Sequence, residues 1–447
     1  MPLTKLRLTI VSLIFLQPSF FLSAQDTHYW TDQFGTSAEL LGGIVVGSVR
    51  DLSSTYYNPG AIALSRDENL ILNTSAFQIR VINLANAGAT NEDLLALDTR
   101  VAPSIFAVRL SDSLADNQWA VSYLTRYQSL FSLTSAYIEP FRELPGDTYS
   151  GFGDIQADLF EGWGGLTFAR RIKSRLAYGL TLFGVYRGQG RDLTIDTKEL
   201  DDQQQINAVT IRDKFRYWST RILLKGGIAW LSNPWRLGVT ITTPGVHVYG
   251  QGEILYAQSA IVAGYGEELS AYYSPKRSAR YVNPFSLAFG AAYEWEDKTL
   301  HFSAEWFAGQ KAYSLTTPVT FRKQTDGTPV ELRYEDEKDA VINFGIGLQS
   351  RLRNNFRYFA SLISNYSFLP PENPYTITYS SWDIYQLAAG AVFTINRFAV
   401  TAGLNLGYGT DSVPLELNLS DGELAPDDAY VNITYTSVKV IFGLAFN

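Results

Sequence analysis

Cysteine is absent from the 447 residues, methionine occurs once and histidine three times. Without cysteine there is no disulfide framework and no thiolate metal site, so a chain of this length must hold itself by packing and ladder closure. His28, His247 and His301 lie far apart and offer no paired metal-ligand spacing. No Gly-x-Ser-x-Gly elbow occurs. Gly151-Phe152-Gly153 and Gly188-Gln189-Gly190 are followed by no helical pattern, so neither reads as a phosphate cradle. Positive charge is also short: 36 basic against 44 acidic residues give a net charge of −8, which argues against a nucleic-acid partner. Beyond the N-terminal stretch, no apolar run reaches the ~18–20 residues of a spanning helix. The expectation is no cofactor, no metal and no catalytic site.

Aromatic residues are plentiful, 27 Tyr, 26 Phe and 9 Trp, and glycine numbers 35. That enrichment without helical hydrophobic runs suits many strands whose two faces differ. The chain opens with basic Lys5 and Arg7, an apolar stretch from Leu8 to Phe21 interrupted by Pro18, and small residues at Ser23 and Ala24. This three-part pattern predicts a signal peptide over residues 1–24, with the mature fold beginning near Gln25.

The strands read directly from period-two alternation. Phe285, Leu287, Phe289, Ala291, Tyr293 and Trp295 share one face, and Ser286, Ala288, Gly290, Ala292, Glu294 and Glu296 the other. After Asp297-Lys298 the chain returns with Leu300, Phe302, Ala304 and Trp306 opposite His301, Ser303 and Glu305. The run from Trp235 to Thr242 and the run from Phe398 to Tyr408 alternate in the same way.

A soluble sandwich alternates too, so three further features decide. The strands match the ~9–11 residues that cross a bilayer at a tilt. Aromatics gather at strand ends, as interfacial girdles require: Trp163, Tyr186, Tyr217, Trp218, Trp230, Trp235, Tyr293, Trp295, Trp306 and Tyr408. Connections alternate in length. Tight turns fall near Ser111–Asn117, Ile172–Ser174, Ser232–Pro234, Glu296–Lys298, Arg353–Asn355 and Asn396–Arg397. Long polar connections fall near Asn83–Ala102, Pro140–Leu159, Gln189–Asp213, Gln251–Arg280, Gly309–Lys338, Leu369–Ser381 and Thr410–Tyr430. The fold class is therefore all-β: a transmembrane antiparallel β-barrel of about 14 strands over residues 69–447, in contact with outer-membrane lipid. The last strand, with Val438, Val440, Phe442, Leu444 and Phe446 on one face, resembles the assembly signal of bacterial outer-membrane barrels. That resemblance implies a barrel-assembly machinery as partner during biogenesis. A monomer is expected.

Residues 25–68 precede the first long strand. Gly42 to Gly47 is small and apolar, and Arg50-Asp51-Leu52-Ser53-Ser54-Thr55-Tyr56-Tyr57-Asn58-Pro59-Gly60-Ala61 follows. Asn58-Pro59-Gly60 is a strong turn signal, because Pro fixes φ, Gly permits positive φ and Asn bonds its own backbone. Such a compact piece suits the inside of a barrel, where protein or water surrounds the backbone. Gly42, Gly43, Asp51, Ser53, Ser54, Tyr57, Asn58 and Pro59 resemble the N-terminal hatch of the FadL/TodX-type outer-membrane transport family, although Gly60-Ala61 inverts that family's Ala-Gly order. Lys225-Gly226-Gly227-Ile228 leading to Thr243-Pro244-Gly245 is similar as well. The resemblance implies passive transport of hydrophobic small molecules such as long-chain fatty acids or aromatic hydrocarbons. It implies gating by Asp51, Ser53, Ser54, Tyr57, Asn58, Pro59 and Gly60, and exit sideways through a gap made by a kinked strand. The alternative is a barrel that transports nothing and docks a partner in a secretion assembly.

Parity places Arg236, Glu294 and Glu305 inside, with Arg80, Arg109, Arg126 and Lys225 also facing inward. These charges either fill the lumen as an ion-pair lattice or leave one cation for a ligand carboxylate, which it would hold more strongly as water leaves. Arg50, Arg109 and Arg236 are the candidates. On the outer loops, Asn91 to Leu97 predicts a short helix that exposes Leu94, Leu95 and Leu97 to greasy ligands. Tyr272, Tyr273 and Tyr281 fall in another long loop. His301 and Ser303 share a face as in a lipid hydrolase, but that face points to the lumen, away from lipid.

Overall fold

A computed structural model describes residues 27–65, 69–87, 93–111, 115–138, 148–200, 205–262, 266–370, 380–396, 398–414 and 430–446. The expected signal peptide, residues 1–24, lies outside them. In chain order come two short helices, α1 (Thr36–Leu40) and α2 (Ser54–Tyr57), a 3-10 turn (Pro59–Ala63), and then strands. These are β1 (Leu70–Ala85), β2 (Leu94–Arg109), β3 (Asn117–Ile138), β4 (Thr148–Lys173), β5 (Leu176–Leu200), β6 (Ile206–Ser232), β7 (Trp235–Thr242), β8 (Val246–Val262), β9 (Gly266–Ser278), β10 (Ser286–Trp295) and β11 (Lys298–Phe307). Four short strands follow, β12 (Gln310–Ser314), β13 (Val319–Arg322), β14 (Pro329–Leu332) and β15 (Glu335–Lys338). The wall resumes with β16 (Val341–Arg353), β17 (Phe356–Asn365), β18 (Ile384–Ile395), β19 (Phe398–Pro414) and β20 (Tyr430–Phe446).

Fourteen of these strands close on themselves in the order β1 to β7, β10, β11, β16 to β20 and back to β1, every pair antiparallel. Closure leaves no ladder edge facing lipid, where an unpaired backbone group costs several kcal/mol. The β10–β11 hairpin gives the height of the apolar band. β10 and β11 have 10 residues each. At ~3.3 Å per residue and ~45° of tilt, that length crosses ~23 Å of hydrocarbon. The alternation holds as read: Leu287, Phe289, Tyr293, Leu300, Phe302 and Trp306 are exposed, whereas Ser286, Ala288, Ala292, His301, Ser303 and Glu305 are buried.

Two expectations are corrected here. Most of the long connections are extensions of the strands: β4, β5 and β6 run for 26, 25 and 27 residues and rise beyond the band at the end opposite the tight turns. Above Thr243-Pro244-Gly245, β8 continues the β7 path but pairs with the upper half of β6 and with β9. The second correction concerns the aromatics. Trp163, Tyr217 and Tyr281 point inward and are buried, so they belong to the lumen. Trp230, Trp235 and Tyr293 near the turn end, and Tyr186 and Tyr408 nearer the loop end, do face outward.

Candidate functional site

Residues 27–65 run through the barrel from the loop end to the turn end. His28 pairs with Ser367 just beyond β17. Ile62 and Ala63 pack against Ala120, Ala169 and Ala177, close to the tight turns. Between these ends the segment touches the inner wall on all sides. Ser361 of β17 donates to the Leu40 carbonyl at 3.0 Å, Lys439 of β20 pairs with Glu39 at 2.5 Å, and Thr181 of β5 donates to the Thr55 carbonyl at 2.8 Å. Ser48 shares a 2.7 Å hydrogen bond with His301 of β11. His301 is thus a lumenal partner of this segment and lies away from lipid, so nothing here makes it hydrolytic.

The predicted turn is where the segment seats on the wall. Asn58 Nδ2 donates to the carbonyls of Val46 at 2.8 Å and Ile228 at 3.0 Å, and its Oδ1 accepts the Gly60 N–H at 3.1 Å. Pro59 starts the 3-10 turn, a position where its missing N–H is no loss. Gly60 must be glycine, because a Cβ there would meet the Gly227 carbonyl oxygen at 2.7 Å. In the turn before α2, Asp51 accepts from Ser53 N–H at 2.9 Å and from Ser53 Oγ, and takes a third bond from Thr36 Oγ1 at 3.3 Å. Burial pushes the Asp51 carboxyl above its ordinary range, against these hydrogen bonds. Tyr57 accepts the Phe34 N–H at 2.8 Å and donates to Gln33. Ser54 Oγ has no hydrogen-bond partner among the described residues.

Of the expected ligand residues, Arg109 and Arg236 are already engaged, Arg50 is exposed and the two leucines lie on a strand. Arg109 donates to Gln118 at 2.6 Å and to the Ser65 carbonyl at 3.1 Å, closing the end of the 3-10 turn. Arg236 pairs with Glu294 beside the β7–β10 turn end. Arg50 is exposed, and its carbonyl accepts from Ser65 Oγ. The helix expected over Asn91–Leu97 is a strand from Leu94 onward, and residues 91 and 92 are outside the described set. Pairing with β1, Leu84↔Leu94 to Val81↔Leu97, wins over the local helical preference.

The interior charges divide into two groups. Toward the loop end they form a lattice. Glu161 accepts from Trp163 Nε1 at 2.7 Å, Arg187 Nη1 at 3.1 Å and Arg221 Nη2 at 2.7 Å. The two guanidiniums and Lys338 Nζ lie 4.0, 4.7 and 4.6 Å from the centre of the Tyr281 ring. Deeper in the lumen the charges are incompletely matched. Lys225 is buried, and among the described residues its partner is the Tyr56 ring at 4.4 Å, with no hydrogen bond or ion pair. Arg126 lies 5.7 Å from the centre of the same ring; it donates Nη2 to the Tyr29 carbonyl and leaves Nη1 unpaired. Tyr29 Oη has no hydrogen-bond partner among the described residues either. Lys225 and Tyr29 line one cavity with Trp30, Tyr57 and Glu305, a space of about 10 Å³. That holds about one water and no hydrophobic ligand. Trp30 Nε1 and Ser286 Oγ both donate to Glu305, at 3.0 and 2.7 Å.

Among the described residues the ladder of the wall is interrupted between β2 and β3. The β2–β3 ladder runs from Arg109↔Ala120 to Ile105↔Leu124 and stops. Yet β2 continues its pairing with β1 to Leu94, and β3 its pairing with β4 to Ile138. The parting coincides with a register shift between Thr125 and Tyr127, which makes Arg126 the bulged residue.

Solved structures share this architecture. The P. putida toluene transporter TodX aligns with a TM-score of 0.61 at 13% identity, over 93% of this chain and 98% of that one. The chain has the FadL/TodX-type barrel fold. A Pseudomonas aeruginosa FadL homologue gives 0.60 at 12% identity over 94% and 98%, and the Ralstonia pickettii toluene transporter TbuX gives 0.57 at 11% over 93% and 99%. No protein-family model and no curated protein matches the sequence. Within this FadL/TodX-type barrel, sequence reasoning missed Tyr29, Trp30, Arg187, Arg221 and Asp98. Parity gave an inward direction to Lys225 and Arg126, and only the three-dimensional partners of the other cations set those two apart.

Proposed function

We propose that the chain is an outer-membrane channel for passive uptake of hydrophobic small molecules, with residues 25–68 as its hatch. The observation that carries this reading is the interruption of the wall between β2 and β3 next to a filled lumen. A closed barrel that served only as a scaffold has no use for a wall lacking half of one ladder. In this reading the tight-turn end is periplasmic, residues 1–24 direct export, and the ligand enters from the tall β3–β6 end. It displaces the Tyr29–Trp30 stretch, rests in the lumen and leaves sideways between β2 and β3. The turn at Asn58-Pro59-Gly60 is the seat about which the hatch shifts.

The unpaired donors favour one ligand class. Among the described residues Arg126 Nη1 and Tyr29 Oη are buried donors without an acceptor and Lys225 Nζ meets only a ring face, and a carboxylate supplies the missing oxygens. A hydrocarbon such as toluene has nothing for them, so the reading is an amphiphile with one carboxylate and an apolar chain. The test is mass spectrometry of lipids that copurify with the protein, then proteoliposome uptake of a fatty acid and of its methyl ester. Faster uptake of the acid than in protein-free vesicles is expected. Equal flux in both kinds of vesicle overturns the proposal.

A further inference from the structure

Where the β2–β3 ladder ends, two side chains take over its task. Arg80 on β1 and Asp98 on β2 are directly opposed partners, with Nη1 to Oδ2 at 3.3 Å. Arg80 reaches past β2 to β3. Arg80 donates Nη1 to Ser129 Oγ at 3.2 Å and Nη2 to the Gln128 carbonyl at 3.1 Å. Asp98 faces Leu130 and Phe131 of β3 across the same small space. The residues contacted, Gln128 and Ser129, lie just above the Arg126 bulge, on the stretch of β3 that has lost its β2 partner. A cavity of about 10 Å³ marks the same place, lined by Arg80, Ile82, Leu97, Asp98, Leu130 and Phe131.

We propose that Arg80 and Asp98 form a latch that holds the β2–β3 seam shut while the lumen is closed. The role assigned to the latch rests on the seam being the ligand's exit; its existence does not. A ladder of main-chain bonds separates only when many bonds break together, whereas here two side-chain bonds from Arg80, held in place by Asp98, span the gap. Arg80 and Asp98 are buried or nearly so, their charges answer each other, and the apolar lining of Ile82 and Phe131 keeps water from competing. Releasing one residue leaves the other without its counter-charge, so the two let go as a unit. These are positioning residues: they touch the wall and set the width of the gap.

The absence of native cysteine makes the width measurable. Leu97 and Leu130, each 62% exposed, flank the seam on its outer side. Spin labels on L97C and L130C, in the full chain reconstituted into nanodiscs, report the distance across it. With the latch intact a single narrow distribution is expected. Arg80→Gln and Asp98→Asn each add a second population longer by about one strand spacing, ~4.8 Å. Lys198→Gln, which removes an exposed pair outside the seam, leaves the distribution unchanged. Retained heat-modifiable mobility on gels shows that each variant has closed its barrel. Distances unchanged in both folded latch variants overturn the proposal, whatever the flux. Widening in a protein that moves no ligand leaves the latch standing and removes only the transport reading.

Discussion

Asn58 and Ile228 join the N-terminal segment to the wall: the Asn58 amide donates to the Ile228 carbonyl at 3.0 Å while its second N–H holds the Val46 carbonyl at 2.8 Å. One side chain thus ties β6 to two stretches of the segment and, through Oδ1, fixes the turn that follows. Asn58→Asp keeps the shape but replaces two donors with a carboxylate facing two carbonyl oxygens. Each buried group left unpaired costs about 1–3 kcal/mol. Hydrogen exchange over residues 44–62 is expected to quicken about 10- to 1000-fold in Asn58→Asp, and less in Asn58→Ala, with β18–β20 unchanged. Uniform quickening across the barrel instead would mean that Asn58 stabilises the whole fold and seats nothing.

Gly238 carries the second contact of that seat. A Cβ there would fall on the Val46 carbonyl oxygen and lie 2.7 Å from Asn58 Nδ2. The wall ladder can accept alanine at this position, but the segment's backbone must withdraw. Gly238→Ala is therefore expected to raise ion conductance in planar bilayers while the barrel still closes. Unchanged conductance in the folded variant would show that the segment absorbs the methyl without moving.

His28 gives the segment a pH dependence. Nε2 donates to the Trp382 carbonyl at 2.8 Å, and burial lowers the imidazole pKa from 6.5 to about 4. Once the segment is released, His28 titrates near 6.5. The released form therefore binds a proton first as pH falls. Docking is unaffected above about pH 6.5, weakens from there to about pH 4, and changes no further once the docked form is protonated too. Over that window the loss is on the order of 3 kcal/mol. Proteolysis of the N-terminal segment in intact barrels should accelerate between pH 7 and pH 5, and His28→Phe should flatten the profile. A profile identical in His28→Phe would assign the effect to other groups.

What was legible in the sequence follows from what lipid and sterics demand locally. Within the apolar band lipid favours apolar outward residues, so Phe289, Phe302 and Phe442 announced their face. Asn58-Pro59-Gly60 announced a turn because each residue is suited to it alone. Above the band that pressure ends. In β5 the run Asp192, Thr194, Asp196 and Lys198 alternates with Leu193, Ile195 and Thr197, and with water outside it resembles a polar loop. Pairing was illegible for another reason. Nothing near Asp98 reveals that Leu130 will lie beside it, and Arg109 and Lys225 look alike until the carbonyls of the 3-10 turn claim Arg109 alone.

That difference makes Lys225 the residue by which stability and function part. Its ammonium is buried against the Tyr56 ring and has no hydrogen-bond acceptor among the described residues, so Lys225→Met removes a desolvated charge and keeps most of the volume. Such replacements are often neutral or stabilising by about 1–4 kcal/mol. The same change removes the strongest donor available to a carboxylate. A charged hydrogen bond contributes about 1.5–3 kcal/mol, so acid affinity should fall roughly 10- to 150-fold. The methyl ester, which carries no charge, should bind both proteins alike. Calorimetric titration of acid and ester into wild type and Lys225→Met, beside their unfolding midpoints, reads all of this at once. Equal loss for acid and ester would mean that Lys225 shapes the pocket without recognising the head group, and a lowered midpoint would mean that its contact with Tyr56 holds the lumen together.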